Sequence, residues 1–335
     1  AWLLGELCNE SSLPVDLNTR DNWLDWGHLG IEFIRRNCFD PSDGRMWFHV
    51  TRDGRPIRKR RYAFSEAFAA IAFGEYAKAS GNSLYKDLAA KCLQRFIDHN
   101  RHPHPPESKF TDTRPMKSIG APMIAIATAQ QLRDSIHLPE ADNAIDTAID
   151  EIRSDFVKPD RRVVLENVAP DGAIIDHFDG RILNPGHAVE AAWFIMQEGE
   201  HRRDDILIRL GCSMLEWMWL RGWDRQFGGL LYFVDLNDGT AQEYWHDMKF
   251  WWPHCEAIIA TLYAWHLTGE EKYADMHRQI HDWTYRHFPD PVHGEWFGYL
   301  RRDGSLSSDV KGNLWKGPFH LPRMQMTCLR ILNQH

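Results

Sequence analysis

One motif occurs three times in the chain, each time between two stretches of helical periodicity. Asp40-Pro41-Ser42-Asp43-Gly44 leads through Arg45-Met46-Trp47-Phe48 to Asp53-Gly54. Asp224-Arg225-Gln226-Phe227-Gly228 leads through Gly229-Leu230-Leu231-Tyr232 to Asp238-Gly239. Asp290-Pro291-Val292-His293-Gly294 leads through Glu295-Trp296-Phe297-Gly298-Tyr299 to Asp303-Gly304. Asp-Gly after an alternating apolar run is a β-turn signal, so each copy predicts a small β-hairpin in a helix–helix loop.

The flanking stretches have the period of buried helix faces. Phe64, Phe68, Ile71, Ala72 and Tyr76 form one stripe, and Leu84, Leu88, Cys92, Phe96 and Ile97 the next, with Ser80-Gly81-Asn82 as stop and restart. Further helices are expected at about 116–135, 142–157, 187–200, 204–221, 246–268, 270–288 and 320–333. Stacked helical hairpins either remain an open solenoid or close into a ring. A ring of six needs roughly 300–400 residues at about 50–60 per hairpin, and the chain has 335. The expected fold is therefore all-α, an (α/α)6 barrel with short β-hairpins in its loops, forming a single domain over 1–335. The chain opens Ala1-Trp2-Leu3-Leu4, without Met or a basic leader. That reads as a start inside an apolar helix, with the first hairpin truncated.

Composition excludes several function classes. The net charge is −8, which argues against sequence-independent nucleic-acid binding. No apolar run reaches the length of a membrane span, about 18 residues. Six cysteines without a Cys-x-x-Cys pair read as reduced core thiols, with the cytoplasm as the expected compartment. Arg58-Lys59-Arg60-Arg61 reads as a solvated basic run, and His102-Pro103-His104-Pro105-Pro106 as an exposed loop. No zinc quartet, phosphate loop or nucleophile elbow is present.

Three segments carry candidate chemistry. In Asn184-Pro185-Gly186-His187-Ala188-Val189-Glu190 a turn opens a helix, placing His187 in the first turn with Glu190 one turn on. A nearby carboxylate fixes an imidazole tautomer, which suits a general base; a capping or packing histidine would look the same. In Lys249-Phe250-Trp251-Trp252-Pro253-His254-Cys255-Glu256 two tryptophans precede an imidazole and a carboxylate. That combination fits a carbohydrate site, or equally an aromatic core cluster. In Trp315-Lys316-Gly317-Pro318-Phe319-His320-Leu321-Pro322-Arg323 a constrained loop presents a histidine and an arginine three residues apart. They read as a base and an oxygen-binding cation, or as a surface loop.

Several segments together resemble one family. They are Thr51-Arg52-Asp53-Gly54-Arg55-Pro56, Phe64-Ser65-Glu66, Val164-Leu165-Glu166-Asn167-Val168, the Asn184–Glu190 segment and Gly222-Trp223-Asp224 with Gly228-Gly229-Leu230. The series continues with Met248–Ala257, Gly294-Glu295-Trp296-Phe297-Gly298-Tyr299-Leu300 and Lys316–Arg323. In this order they resemble the N-acylglucosamine 2-epimerase (renin-binding protein) family over essentially the whole chain.

The resemblance implies an (α/α)6 barrel whose mouth holds a site for isomerising sugars at C2. It maps the two catalytic histidines onto His187 and His320, active-site carboxylates onto Glu190 and Glu256, and an arginine onto Arg323. Another family arginine would fall before Ala1. Relatives acting on cellobiose carry a histidine where this chain reads Ala121-Pro122-Met123-Ile124-Ala125, which favours a monosaccharide here.

The expected reaction interconverts N-acetylglucosamine and N-acetylmannosamine. His187 and His320 would move the C2 proton through an enediol or enediolate. Arg323 and Lys249 would steady oxyanion charge, and Trp252, Trp296, Asn184 and Lys316 would line the sugar site. Mannose–glucose epimerisation or aldose–ketose isomerisation is the alternative in the same family; a glycoside hydrolase or a non-enzymatic binding protein lies outside it. No metal or other cofactor is required on this reading, with ATP a non-consumed activator in some members. The implied partners are a small sugar and a second copy in a homodimer, not nucleic acid or membrane.

Overall fold

The computed structural model describes residues 1–59, 62–101, 110–111 and 113–333. The His102–Pro106 loop and the Arg60-Arg61 half of the basic run lie outside them. Of the rest of that run, Arg58 is exposed and Lys59 is ion-paired to Asp40 and Asp43. Among the described residues no helix is long and apolar enough to cross a membrane. All six cysteines are free thiols, four of them buried.

The chain forms two compact units, Ala1–Pro115 with Ile124–Ile149, and Met116–Met123 with Asp150–His335. In the first, α1 (Trp2–Asn9) packs on α2 (Leu17–Asn37) and α3 (Phe64–Ser80), and α3 packs on α4 (Ser83–Arg101). Helix α2 has no counterpart among the expected helices. Asp16 caps it by accepting from the Thr19 amide, yet only Gly27 and Ile31 are buried along its 21 residues. So little of it is buried that its apolar stripe is indistinct. The break at Ser80-Gly81-Asn82 is as expected, with Gly81 ending α3 in the left-handed conformation at φ 69°. Helices α5 (Gly120–Ile136) and α6 (Ala141–Glu151) follow; the expected 142–157 helix ends instead in a π-turn at Ile152–Phe156.

The second unit is built on α8 (Pro185–Arg202), α9 (Asp205–Gly222), α10 (Trp251–Thr268), α11 (Glu271–His287) and α12 (His320–Leu332), after a single turn, α7 (Phe178–Arg181). Helix α10 packs on α8, α11 and α12. It is buried continuously from Trp251 to Ala264, so it is the unit's core helix. It starts later than expected, because Lys249–Phe250 is a strand paired to Tyr299–Leu300.

All three repeats fold into the same turn. Asp40, Asp224 and Asp290 each donate their amide to the residue five on and accept from the glycine four on with their carbonyl. Those glycines, Gly44, Gly228 and Gly294, have φ of 72°, 74° and 70°. Each aspartate then takes a lysine on Oδ2: Lys59 at 2.6 Å, Lys249 at 3.1 Å and Lys311 at 2.5 Å. The first and third copies continue into the expected hairpins, His49–Val50 with Pro56–Arg58 and Tyr299–Leu300 with Leu306–Ser308. The second does not. Its strand Val234–Asp235 pairs with Ile182–Leu183, which takes the edge a hairpin partner would need.

Candidate active site

The second unit alone contains the candidate site. Asn184 caps α8 by accepting from the His187 amide, and Pro185 fills the first helical position, where no N–H is needed. His187 is thereby fixed in the first turn. Its Nδ1 lies 2.9 Å from Glu166 Oε2. The carboxylate only accepts and lies nearer than the Asn184 amide nitrogen at 3.2 Å, so Nδ1 carries the proton and the lone pair is on Nε2.

The second imidazole is held in the same way. His320 is the first residue of α12, and its Nδ1 donates to Glu256 Oε1 at 2.7 Å. Both imidazoles contact one indole: the Trp252 ring centre is 5.0 Å from that of His187 and 5.6 Å from that of His320. Gly186 makes this possible. A Cβ there would come within 2.6 Å of Trp252 Cη2.

Arg323, one turn after His320, bridges two buried carboxylates, Glu190 on α8 and Glu256 on α10 at 2.6 Å. Its guanidinium also lies over the rings of Phe319, Trp193 and Phe194, 4.6 to 5.5 Å from their centres. Glu256 has no exposed side-chain surface. Burial opposes its ionisation, but Arg323 and the His320 hydrogen bond outweigh it and hold the carboxyl well below its ordinary range. The opposing charges keep Arg323 protonated despite burial. Glu190, Glu256 and His320 offer three donor atoms within 4.8 Å of one another, spacing that could hold a metal ion. Arg323 already supplies a cation to both carboxylates.

The structure brings together His187, His320, Glu190, Glu256, Arg323, Trp252 and Asn184. Three other assignments need correction. Lys249 is wholly buried and donates to Asp224 and to the Gly229 carbonyl. Burial lowers its pKa to about 8 against the opposing pull of Asp224. It is the lysine of the second repeat and leaves no surface for a sugar oxygen. Trp296 stacks on Phe288 with ring centres 5.9 Å apart and meets Tyr285 edge-on, so it packs the third repeat. Lys316 donates to both oxygens of Glu295 and to the Lys311 carbonyl, which fastens the loop before α12. His254, one turn into α10, is also structural. Its Nδ1 donates to the Phe250 carbonyl and its Nε2 accepts from the Leu230 amide, and burial keeps it neutral with a pKa near 3.

Two residues were not singled out as site residues: Glu166 and Trp193. Trp193 donates from Nε1 to Glu256 Oε2 at 2.9 Å. Glu166 had a visible signal, since a carboxylate closes the apolar run Val163-Val164-Leu165. Trp193 lies two turns from His187 inside an apolar stretch and gave none.

The chain is similar to known proteins over most of its length. The family model described as N-acylglucosamine 2-epimerase matches residues 12–320. The N-acylglucosamine 2-epimerases of Mus musculus and Rattus norvegicus are 33% and 34% identical over 323 residues, covering 92% of this chain and 75% of each relative. The solved cellobiose 2-epimerase of Bacillus thermoamylovorans superimposes with a TM-score of 0.82 at 16% identity, over 100% of this chain and 86% of that one. That likeness gives the fold class, the (α/α)6 barrel expected from the repeats. With its matched length, its curated relatives and its paired imidazoles, the chain belongs to the N-acylglucosamine 2-epimerase family and is a sugar 2-epimerase.

Proposed function

We propose that the substrate pair is N-acetylglucosamine and N-acetylmannosamine, and that His187 and His320 are the two bases that exchange the proton at C2. The observation that carries the reading is the matched support of the two imidazoles. Each has its Nδ1–H on a carboxylate, Glu166 or Glu256, and each contacts the same indole. The C2 hydrogen of an open-chain aldose is acidic because it is α to the C1 carbonyl. One Nε2 removes it, the electron pair moves onto the carbonyl oxygen, and an enediolate forms. The other imidazolium returns a proton to the opposite face, inverting C2. The sequence is redox-neutral and calls for no redox cofactor. Arg323 is the cation for the enediolate oxygen, and Trp252 is the apolar surface between the bases. The N-acyl substrate is supported by the names of relatives at 32–34% identity.

His187→Asn and His320→Asn should each lower turnover of N-acetylmannosamine by at least about 100-fold, the lower end for a general acid–base group. Coupled detection of N-acetylglucosamine measures it. Near wild-type rates in both variants would refute the assignment.

A further inference from the structure

Trp193 on α8 is buried, and it touches Glu256 through its N–H and Arg323 through its ring face. The two oxygens of Glu256 are used differently. Oε1 accepts from His320 Nδ1 and from Arg323 Nη2, whereas Oε2 accepts from Trp193. Arg323 Nη2 also serves Glu190, and Arg323 Nε is a buried donor with no hydrogen-bond partner. A carboxylate beside a guanidinium gains most by taking two parallel N–H bonds on the Nε–Nη2 edge. Glu256 does not do so here.

We propose that Trp193 is a positioning residue for epimerisation: its N–H holds Glu256 Oε2 away from the Arg323 fork, and so keeps Oε1 on His320. Without that N–H, Oε2 would be an unsatisfied buried carboxylate oxygen, which is costly. Arg323 Nε, the unpartnered donor of the guanidinium that already holds Oε1, offers that oxygen a bond if the carboxylate rotates. That rotation draws Oε1 off Nδ1 and frees the His320 ring to change tautomer and orientation. Helix α8 thus carries one base, His187, and through Trp193 sets the geometry of the other. The inference rests on the two-base reading above.

The test is Trp193→Phe, which keeps an aromatic face beside Arg323 and removes the N–H together with the pyrrole half of the ring. Turnover should fall about tenfold with KM within about twofold of wild type, the pattern for a lost transition-state contact. The decisive readout is exchange against conversion in deuterated water. In a two-base site each epimer presents its C2 hydrogen to a different histidine. When His320 is impaired, the epimer facing His187 still loses its proton and regains a deuteron on the same face, but inverts slowly. Its ratio of exchange to epimerisation rises, while that of the other epimer does not. Trp193→Phe should therefore raise the ratio for one epimer only, the same one as His320→Asn.

Wild-type turnover, an equal loss with unchanged ratios, or a rise for the opposite epimer would overturn the role of Trp193. If His320→Asn itself shows no epimer bias, the two-base reading fails, whatever Trp193→Phe does. Should the phenylalanine variant not fold, Trp193→Tyr gives the same readout, since it fills more of the space and has no donor at the Nε1 position.

Discussion

His187 and His320 each lie in the first turn of a helix, and each has its Nδ1 on a buried carboxylate. Residue chemistry follows from that pairing. An acceptor fixed at Nδ1 leaves the lone pair at Nε2, where it can reach a carbon acid. Glu166→Gln breaks this on the His187 side. A neutral amide can present its N–H₂ to Nδ1 and stabilise the opposite tautomer, with the proton on Nε2. Turnover should fall at least about tenfold, because a wrongly protonated imidazole cannot act as the base, with KM little changed. Steady-state kinetics on N-acetylmannosamine check it; an unchanged turnover would show that Glu166 does not set the tautomer.

At the scale of elements, the threefold turn explains features that looked functional in isolation. Lys249 precedes a pair of tryptophans and a carboxylate, so it reads as a substrate cation. Its environment shows it to be the equivalent of Lys59 and Lys311, each locking the aspartate of its own repeat. That equivalence could not be read from the chain, because the distance from aspartate to lysine differs in each copy. The turn glycines separate backbone strain from packing. At Gly294 nothing lies within 4 Å of an added Cβ, whereas at Gly228 it would come within 2.6 Å of Trp283 Cδ1. Both have left-handed φ. Gly294→Ala should cost about 1 kcal/mol for the conformation alone. Gly228→Ala should cost about 1–3 kcal/mol more through overpacking. Denaturant melts of both variants measure the difference, and equal losses would contradict it.

At the scale of the whole molecule, the helical-hairpin fold was legible because long apolar stretches alternate with short connectors rich in Gly, Pro, Asp and Asn. The long buried runs of α3 (Ala69–Ala77) and α10 (Trp251–Ala264) and the Asn-Pro-Gly entry to α8 leave little choice of element. Helix α2 was not legible, since its few buried positions include a glycine. The site was legible where one segment holds both partners, as with His320 and Arg323. It was not legible where the partner comes from elsewhere, as Glu166 does for His187 and Trp193 for Glu256.

Inversion by proton transfer at C2 is tested most directly by running the reaction in deuterated water. N-acetylmannosamine converted by the enzyme should give N-acetylglucosamine with deuterium at C2 and at no other carbon, read by proton NMR. Product that forms at the normal rate with its original hydrogen at C2, or with label at another carbon, would contradict the account.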